Sequence, residues 1–211
     1  MVKKAARLAT LMMSGALCLH VATSTARADI VFASGGSEFG SENVLAINDQ
    51  SGNTVFGTTQ DPTFGVSFTS TTTLSTQSAG QAKFIGPFSD LVIMPTDLSF
   101  GFADISFNAF NIGGDGTGNL TVDGLNQFGV TETEVFSVGP GQNFIRLTGT
   151  EGQIITKVTL SSTNTVGDLR QVRIEGVEIT NSDVVPEPSS MFLLASGLIG
   201  VLGVARKRVK A

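Results

Sequence analysis

Leu98-Ser99-Phe100-Gly101-Phe102-Ala103-Asp104-Ile105-Ser106-Phe107-Asn108-Ala109-Phe110-Asn111-Ile112 is the stretch from which the fold is read. Its apolar residues alternate, as in an extended chain whose successive side chains point to opposite faces. Leu98, Phe100 and Phe102 share one parity, Ile105 and Phe107 the other, and Phe110 and Ile112 return to the first. Two slips in 15 residues predict bends or bulges in one long strand. The strand then breaks at Gly113-Gly114-Asp115-Gly116-Thr117-Gly118-Asn119, a glycine-rich loop.

Upstream, Phe64, Val66 and Phe68 alternate with Gly65, Ser67 and Thr69, a second half-buried strand. Downstream the chain reads as a meander. Short strands are expected at Leu120–Val122, Glu134–Val138 and Asn143–Thr148, with Gly139-Pro140-Gly141 as a turn. Glu151-Gly152 turns into Ile154–Leu160, where Ile154, Thr156, Val158 and Leu160 face one side, and Ser161–Gly167 reads as a polar loop. In the last strand Val172 and Ile174 keep one phase and Val177 and Ile179 the other, which places a bulge at Gly176. Thr, Ser, Gly, Val, Ile and Phe crowd this region, while strong helix formers are few. The expected architecture is all-β: roughly ten short strands in an antiparallel two-sheet sandwich of jelly-roll type, over residues 29–181.

The two ends differ from this domain. Residues 1–28 start basic (Lys3, Lys4, Arg7), continue apolar from Leu8 to Ala22 and close on Ala26-Arg27-Ala28. That order fits a secretory signal peptide cut after Ala28, with Ala26 and Ala28 as the small residues of the cleavage site. Cys18 follows Leu17 rather than a small residue, which argues against lipoprotein processing. At the other end, Pro186-Glu187-Pro188 precedes an apolar run, Met191–Ala205, and the basic tail Arg206-Lys207-Arg208. As a helix of about 189–205 the run makes a short membrane span, since its 15 uncharged residues extend only about 22 Å. Cations on one side alone orient it with the C-terminus cytoplasmic. The two prolines hold the backbone ahead of it extended.

Proline-glutamate-proline, an apolar helix and a basic end, in that order over residues 183–211, resemble the PEP-CTERM sorting signal of Gram-negative bacteria. The resemblance implies export and recognition of Pro186, Glu187 and Pro188 by an exosortase, a membrane enzyme that releases or transfers the chain. It also implies that Arg206, Lys207 and Arg208 act as membrane stop and orientation signal. Residues 167–177 resemble the last strands of other PEP-CTERM proteins, which names no activity.

Composition prunes the chemistry. Cys18 and His20 are the only cysteine and histidine, so the exported domain holds neither. Disulfides, Cys or His nucleophile-base pairs and His/Cys sites for zinc or copper are excluded. Between Asp29 and Val185 stand five basic residues, Lys83, Arg146, Lys157, Arg170 and Arg173, against 17 acidic ones, a balance of −12 where the whole chain carries −5. Such a surface does not neutralise phosphates, and nucleic acid is not an expected partner. All 14 aromatic residues from Phe32 to Phe144 are phenylalanine. Without Trp or Tyr, the domain lacks the amphipathic rings common in sugar platforms.

Three weak constellations remain. The loop Gly113–Asn119 offers calcium through Asp115, Asn119 and Asp123, although Gly118 stands where a calcium repeat wants Asp. Glu132 and Glu134 share one strand face; a carboxylate-only glycoside hydrolase would need two acids about 5 to 9.5 Å apart across a cleft. Arg173 and Glu175 read as surface pairing. No catalytic residue is assigned, and no cofactor is expected unless calcium binds. The expected role is that of a structural or adhesive, non-enzymatic component of the cell surface or its extracellular polysaccharide. A calcium-assisted carbohydrate-binding module is the alternative.

Overall fold

The computed structural model describes residues 29–35, 42–60, 64–79, 81–113 and 117–179. The signal sequence with Ala26 and Ala28, the loop residue Asp115, and everything from Pro186 to Arg208 lie outside the described residues. Ten strands account for most of what is described: β1 (Ile30–Ser34), β2 (Glu42–Ala46), β3 (Ser51–Thr59), β4 (Gly65–Ala79), β5 (Gln81–Pro95), β6 (Phe100–Ile112), β7 (Gly118–Asn126), β8 (Thr131–Val138), β9 (Gln142–Gly149) and β10 (Ile155–Glu178). Among the described residues there is no helix, hence none long and apolar enough to cross a membrane.

The all-β expectation holds, but the arrangement is one hydrogen-bonded sheet rather than two. The cause is β10, which at 24 residues is far longer than a typical strand. Along one edge it pairs first with β5, from Val158↔Ile93 to Arg170↔Lys83, and then with β2 at Arg173↔Asn43. Along the other edge it pairs first with β7, as at Leu160↔Val122, and then with β6, as at Ser106↔Arg173. Because β2, β3, β4 and β5 are themselves paired in series, the path β10–β2–β3–β4–β5–β10 closes into a barrel. Beyond β6 the sheet continues to β9 and β1, and beyond β7 to β8.

The expected polar loop at 161–167 is therefore strand. Ser161 pairs with Thr121 on one side and Asp90 on the other, so its backbone groups are satisfied on both edges without any apolar side chain. Similarly, Leu120–Val122 is the middle of the longer β7. The inward phase at the start of β10 is carried by Ile155, Val158 and Leu160, not by Ile154 and Thr156, because the register against β7 shifts between Ile155 and Lys157.

The slips read in β6 divide. The first is a bulge: Asp104 faces Glu175 while Phe102 faces Gly176, so β6 holds the extra residue, Ala103, at the site where Gly176 marks the shift in β10. The second is no bulge. β6 runs in unbroken register with β9 from Asp104 to Phe110, and Phe110 lies on the face opposite Phe107.

Every strand contributes to one continuous core, from Ile30 in β1 through Val44, Val55, Phe68, Phe84, Phe107, Leu120, Val138 and Leu147 to Ile174 in β10. Close packing is visible at the glycines. A Cβ on Gly124 would stand 2.9 Å from Ile30 Cδ1 and 3.2 Å from Leu147 Cδ2, so β7 lies against β1 and β9 at a point where only a hydrogen fits. Residues 28–180 form one unit by contact density and contain this whole core, which is what a segment needs to fold on its own. At the turn into β6, Ser99 donates to Asp97 Oδ1 from both its hydroxyl and its backbone N–H, holding that carboxyl below its ordinary value.

Candidate functional site

Past the bulge at Ala103, β6 turns Ile105, Phe107 and Ala109 into the core and leaves Asp104, Ser106, Asn108 and Phe110 on the other face. A polar row of this kind belongs on a solvated surface, yet Asp104, Ser106 and Asn108 are buried at 2%, 6% and 1% exposure. Long side chains of the neighbouring strands lie over them. Directly paired residues in an antiparallel sheet share a face. Arg173 and Arg146 therefore flank Ser106, and Arg170 and Phe144 flank Asn108. Lys83 of β5 continues the second row beyond Arg170. Four of the five basic residues of the domain stand on this one face.

A second bulge makes this possible. Arg170 and Arg173 are three apart and in a regular strand would point to opposite faces. Between them the register against β6 gains one residue in β10, with Gln171 at φ 51°. A left-handed conformation at a residue other than glycine costs about 1 kcal/mol or more. Asn108 Nδ2 donates to Gln171 Oε1 at 3.0 Å, and Val172 is buried at 1% exposure, which fix the bulge from both faces.

The cations are partly paired. Asp168, 4% exposed, accepts from Arg170 Nη2 at 2.9 Å and from Arg170 Nε, with Lys83 Nζ at 3.5 Å. Asp104 Oδ2 accepts from Arg146 and, at 2.8 Å, from Thr148 Oγ1, while its buried Oδ1 has no hydrogen-bond partner among the described residues. The Arg170 guanidinium lies 3.7 Å from the centre of the Phe110 ring, a cation–π contact that covers the phenylalanine left outside the core. The carboxylates thus form the floor. Lys83, Arg146 and Arg170 above them keep about a third of their side chains in solvent, at 31%, 34% and 32%.

The residues singled out from sequence fall elsewhere. Asn119 and Asp123 both lie on β7, four residues and thus about 13 Å apart, too far to share one ion. Thr133 Oγ1 donates to Asp123 Oδ1 at 2.6 Å, and the Asn119 backbone N–H donates to Thr163 Oγ1. No group of three or more acidic, His or Cys side chains with metal-binding spacing occurs among the described residues. Glu132 and Glu134 do share a face of β8, but Glu132 Oε2 accepts from the Ile30 backbone N–H at 3.0 Å and so bridges the unpaired edges of β8 and β1. Arg173 and Glu175 lie on the polar face, as read from the sequence, in successive rows. What that reading missed is the company Arg173 keeps, because the bulge at Gln171 carries no sequence signal such as glycine.

Outside the described residues, a family comparison adds one decisive match: residues 184–208 fit the PEP-CTERM protein-sorting motif. The chain carries a PEP-CTERM sorting tail. Pro186, Glu187, Pro188, Arg206, Lys207 and Arg208 all fall within the matched span. No curated protein sequence matches the chain. Among solved structures, the enzymatically active domain of bacteriophage CBA120 tailspike protein 4 is similar over 71% of this chain at 15% identity and a TM-score of 0.25. The chain spans 19% of that protein's length, and a likeness so distant carries no argument.

Proposed function

We propose that this is an exported surface protein: residues 1–28 direct secretion, the β domain is displayed outside the cytoplasm, and an exosortase processes the chain at its PEP-CTERM tail. The observation that carries the reading is the sorting motif at residues 184–208. Physical chemistry supports its parts. The apolar run before Arg206 is a short membrane span that holds the chain at the bilayer while Pro186-Glu187-Pro188, extended on the outer side, is recognised. The role after processing is structural or adhesive, within the cell surface or its polysaccharide matrix. A core built without disulfides, and a domain balance of −12, suit a soluble unit displayed outside the cell.

Replacing Pro186, Glu187 and Pro188 together by alanine in the producing bacterium tests this. The variant is expected to stay in the membrane fraction with its full tail, while the unaltered chain leaves it. Equal distribution of the two chains would refute sorting through this motif.

A further inference from the structure

We infer that the polar face of β5, β6, β9 and β10 is a binding site for an anionic glycan, a polymer bearing carboxylates on its sugar rings. The inference rests on the surface reading above and names the partner that the displayed domain would hold.

Three observations carry it. First, the cations are placed unevenly. On this face Lys83, Arg146, Arg170 and Arg173 stand with Asp104, Asp168 and Glu175, a local balance of +1 inside a domain of −12. Asp104 and Asp168 lie on the floor at 2% and 4% exposure, so away from Glu175 an arriving ligand meets mainly guanidinium and ammonium groups. Remote carboxylates oppose a polyanion little, because charges beyond about 8 Å are largely screened at physiological salt. Second, the chain holds an unfavourable backbone conformation at Gln171, and its effect is to bring Arg173 to the face of Arg170. Strain of this kind persists where the surrounding structure fixes it, and it concentrates at functional sites.

Third, the groups are spaced for a polymer. Lys83 and Arg170 are neighbours about 5 Å apart across strands, the row of Arg173 and Arg146 lies about 7 Å further along, and those two stand about 10 Å apart. Charges repeated at such intervals suit a chain with a carboxylate on successive rings better than one small anion. Guanidinium forks donate paired hydrogen bonds to carboxylates. Between the cations the face offers what a sugar ring also needs. Phe144, partly exposed, lies in the same row as Arg170, with the buried Asn108 between them holding Gln171 in place. An acidic peptide would use the cations and leave the Phe144 ring idle.

The test uses the β domain alone, residues 28–180, with polygalacturonate as probe and its fully methyl-esterified form as the uncharged counterpart. The domain is expected to bind the acid form at low salt and release it at high salt, with at least tenfold weaker binding to the ester. Lys83→Gln and Arg173→Gln are each expected to weaken binding about five- to tenfold at unchanged circular dichroism. Lys157→Gln, which removes the one basic residue placed elsewhere, is expected to leave binding unchanged. Equal affinity for acid and ester would overturn the inference, as would Lys157→Gln acting as strongly as Lys83→Gln. Self-association of the domain that blocks this face and resists competition by polygalacturonate would assign the cations to a second copy and overturn it too. Absence of binding in a chain still trimmed and delivered by the bacterium would sink the glycan face alone, whereas a chain neither trimmed nor delivered would sink the sorting reading.

Discussion

Phe84→Ala is expected to lower the stability of the β domain by about 4 kcal/mol. Phe84 is fully buried, with its ring stacked on that of Phe68 at 3.7 Å between centroids and 24° between planes. It sits in β5 between Thr76 of β4 and Leu169 of β10, and so in the wall of the closed barrel. Its ring also fills the space left by Gly57, whose Cβ position would lie 3.4 Å from Phe84 Cζ. Truncation loses the transfer free energy of the ring and leaves a cavity that paired strands on both sides cannot collapse into. A domain of this size holds roughly 5–15 kcal/mol in all, and each kcal/mol is worth about 2–4 °C. The melting temperature should therefore fall by about 8–16 °C. Phe128→Ala, at a position 66% exposed, should move it by less than about 2 °C. Similar shifts for the two variants would mean that the core described here is not the core.

The second large effect is asymmetric. Arg146→Ala is expected to cost about 3 kcal/mol, and Asp104→Ala clearly less. Removing the guanidinium strands a carboxylate that is 2% exposed and retains only Thr148 Oγ1 as an identified donor, and an uncompensated buried charge is strongly destabilising. Removing the carboxylate leaves Arg146, whose side chain is already 34% exposed and can turn its head into water. The double variant should accordingly be more stable than Arg146→Ala alone. Urea midpoints of the three variants decide the matter. An additive double variant would show that the pair is not coupled, against the geometry of the polar face.

How far the fold could be read depended on where its signals reside. Alternation in Phe64–Thr69 and in Leu98–Phe107 is written in single residues, and within the strands β4 and β6 it places Val66, Phe68, Phe102, Ile105 and Phe107 inward, while Leu98 lies 71% exposed in the turn ahead of β6. The register shift at Gly176 was legible for the same reason, since the phase change from Ile174 to Val177 is local, although the extra residue is Ala103 of β6 and not part of β10. Closure of the sheet was not. It depends on β10 running on through Ser161–Gly167, a segment whose polar residues read as a loop and become strand because β5 and β7 offer partners on both edges. A preference supplied by neighbours distant in sequence leaves no periodicity to detect.

The polar face shows the same limit. Phe110 reads as a core residue by parity, yet it lies outside under Arg170, and only the partner strand explains why. Arg170 and Arg173 stand three apart in the sequence, and placing them on one face requires knowledge of the bulge between them. The calcium reading of Asp115, Asn119 and Asp123 counted residue types without strand length; four residues of β7 separate Asn119 from Asp123 by about 13 Å, and Asp115 lies outside the described residues. By contrast the sorting motif at residues 184–208 was legible, because it is written in contiguous residues rather than in tertiary pairing.

The intact mass of the chain recovered from the surface of the producing bacterium tests the central claim most directly. The account predicts a polypeptide that begins at Asp29 and lacks the apolar run and Arg206-Lys207-Arg208, with its new end near Pro186-Glu187-Pro188. A surface chain whose mass still includes every residue to Ala211 would contradict processing by an exosortase and leave the tail as a plain membrane anchor.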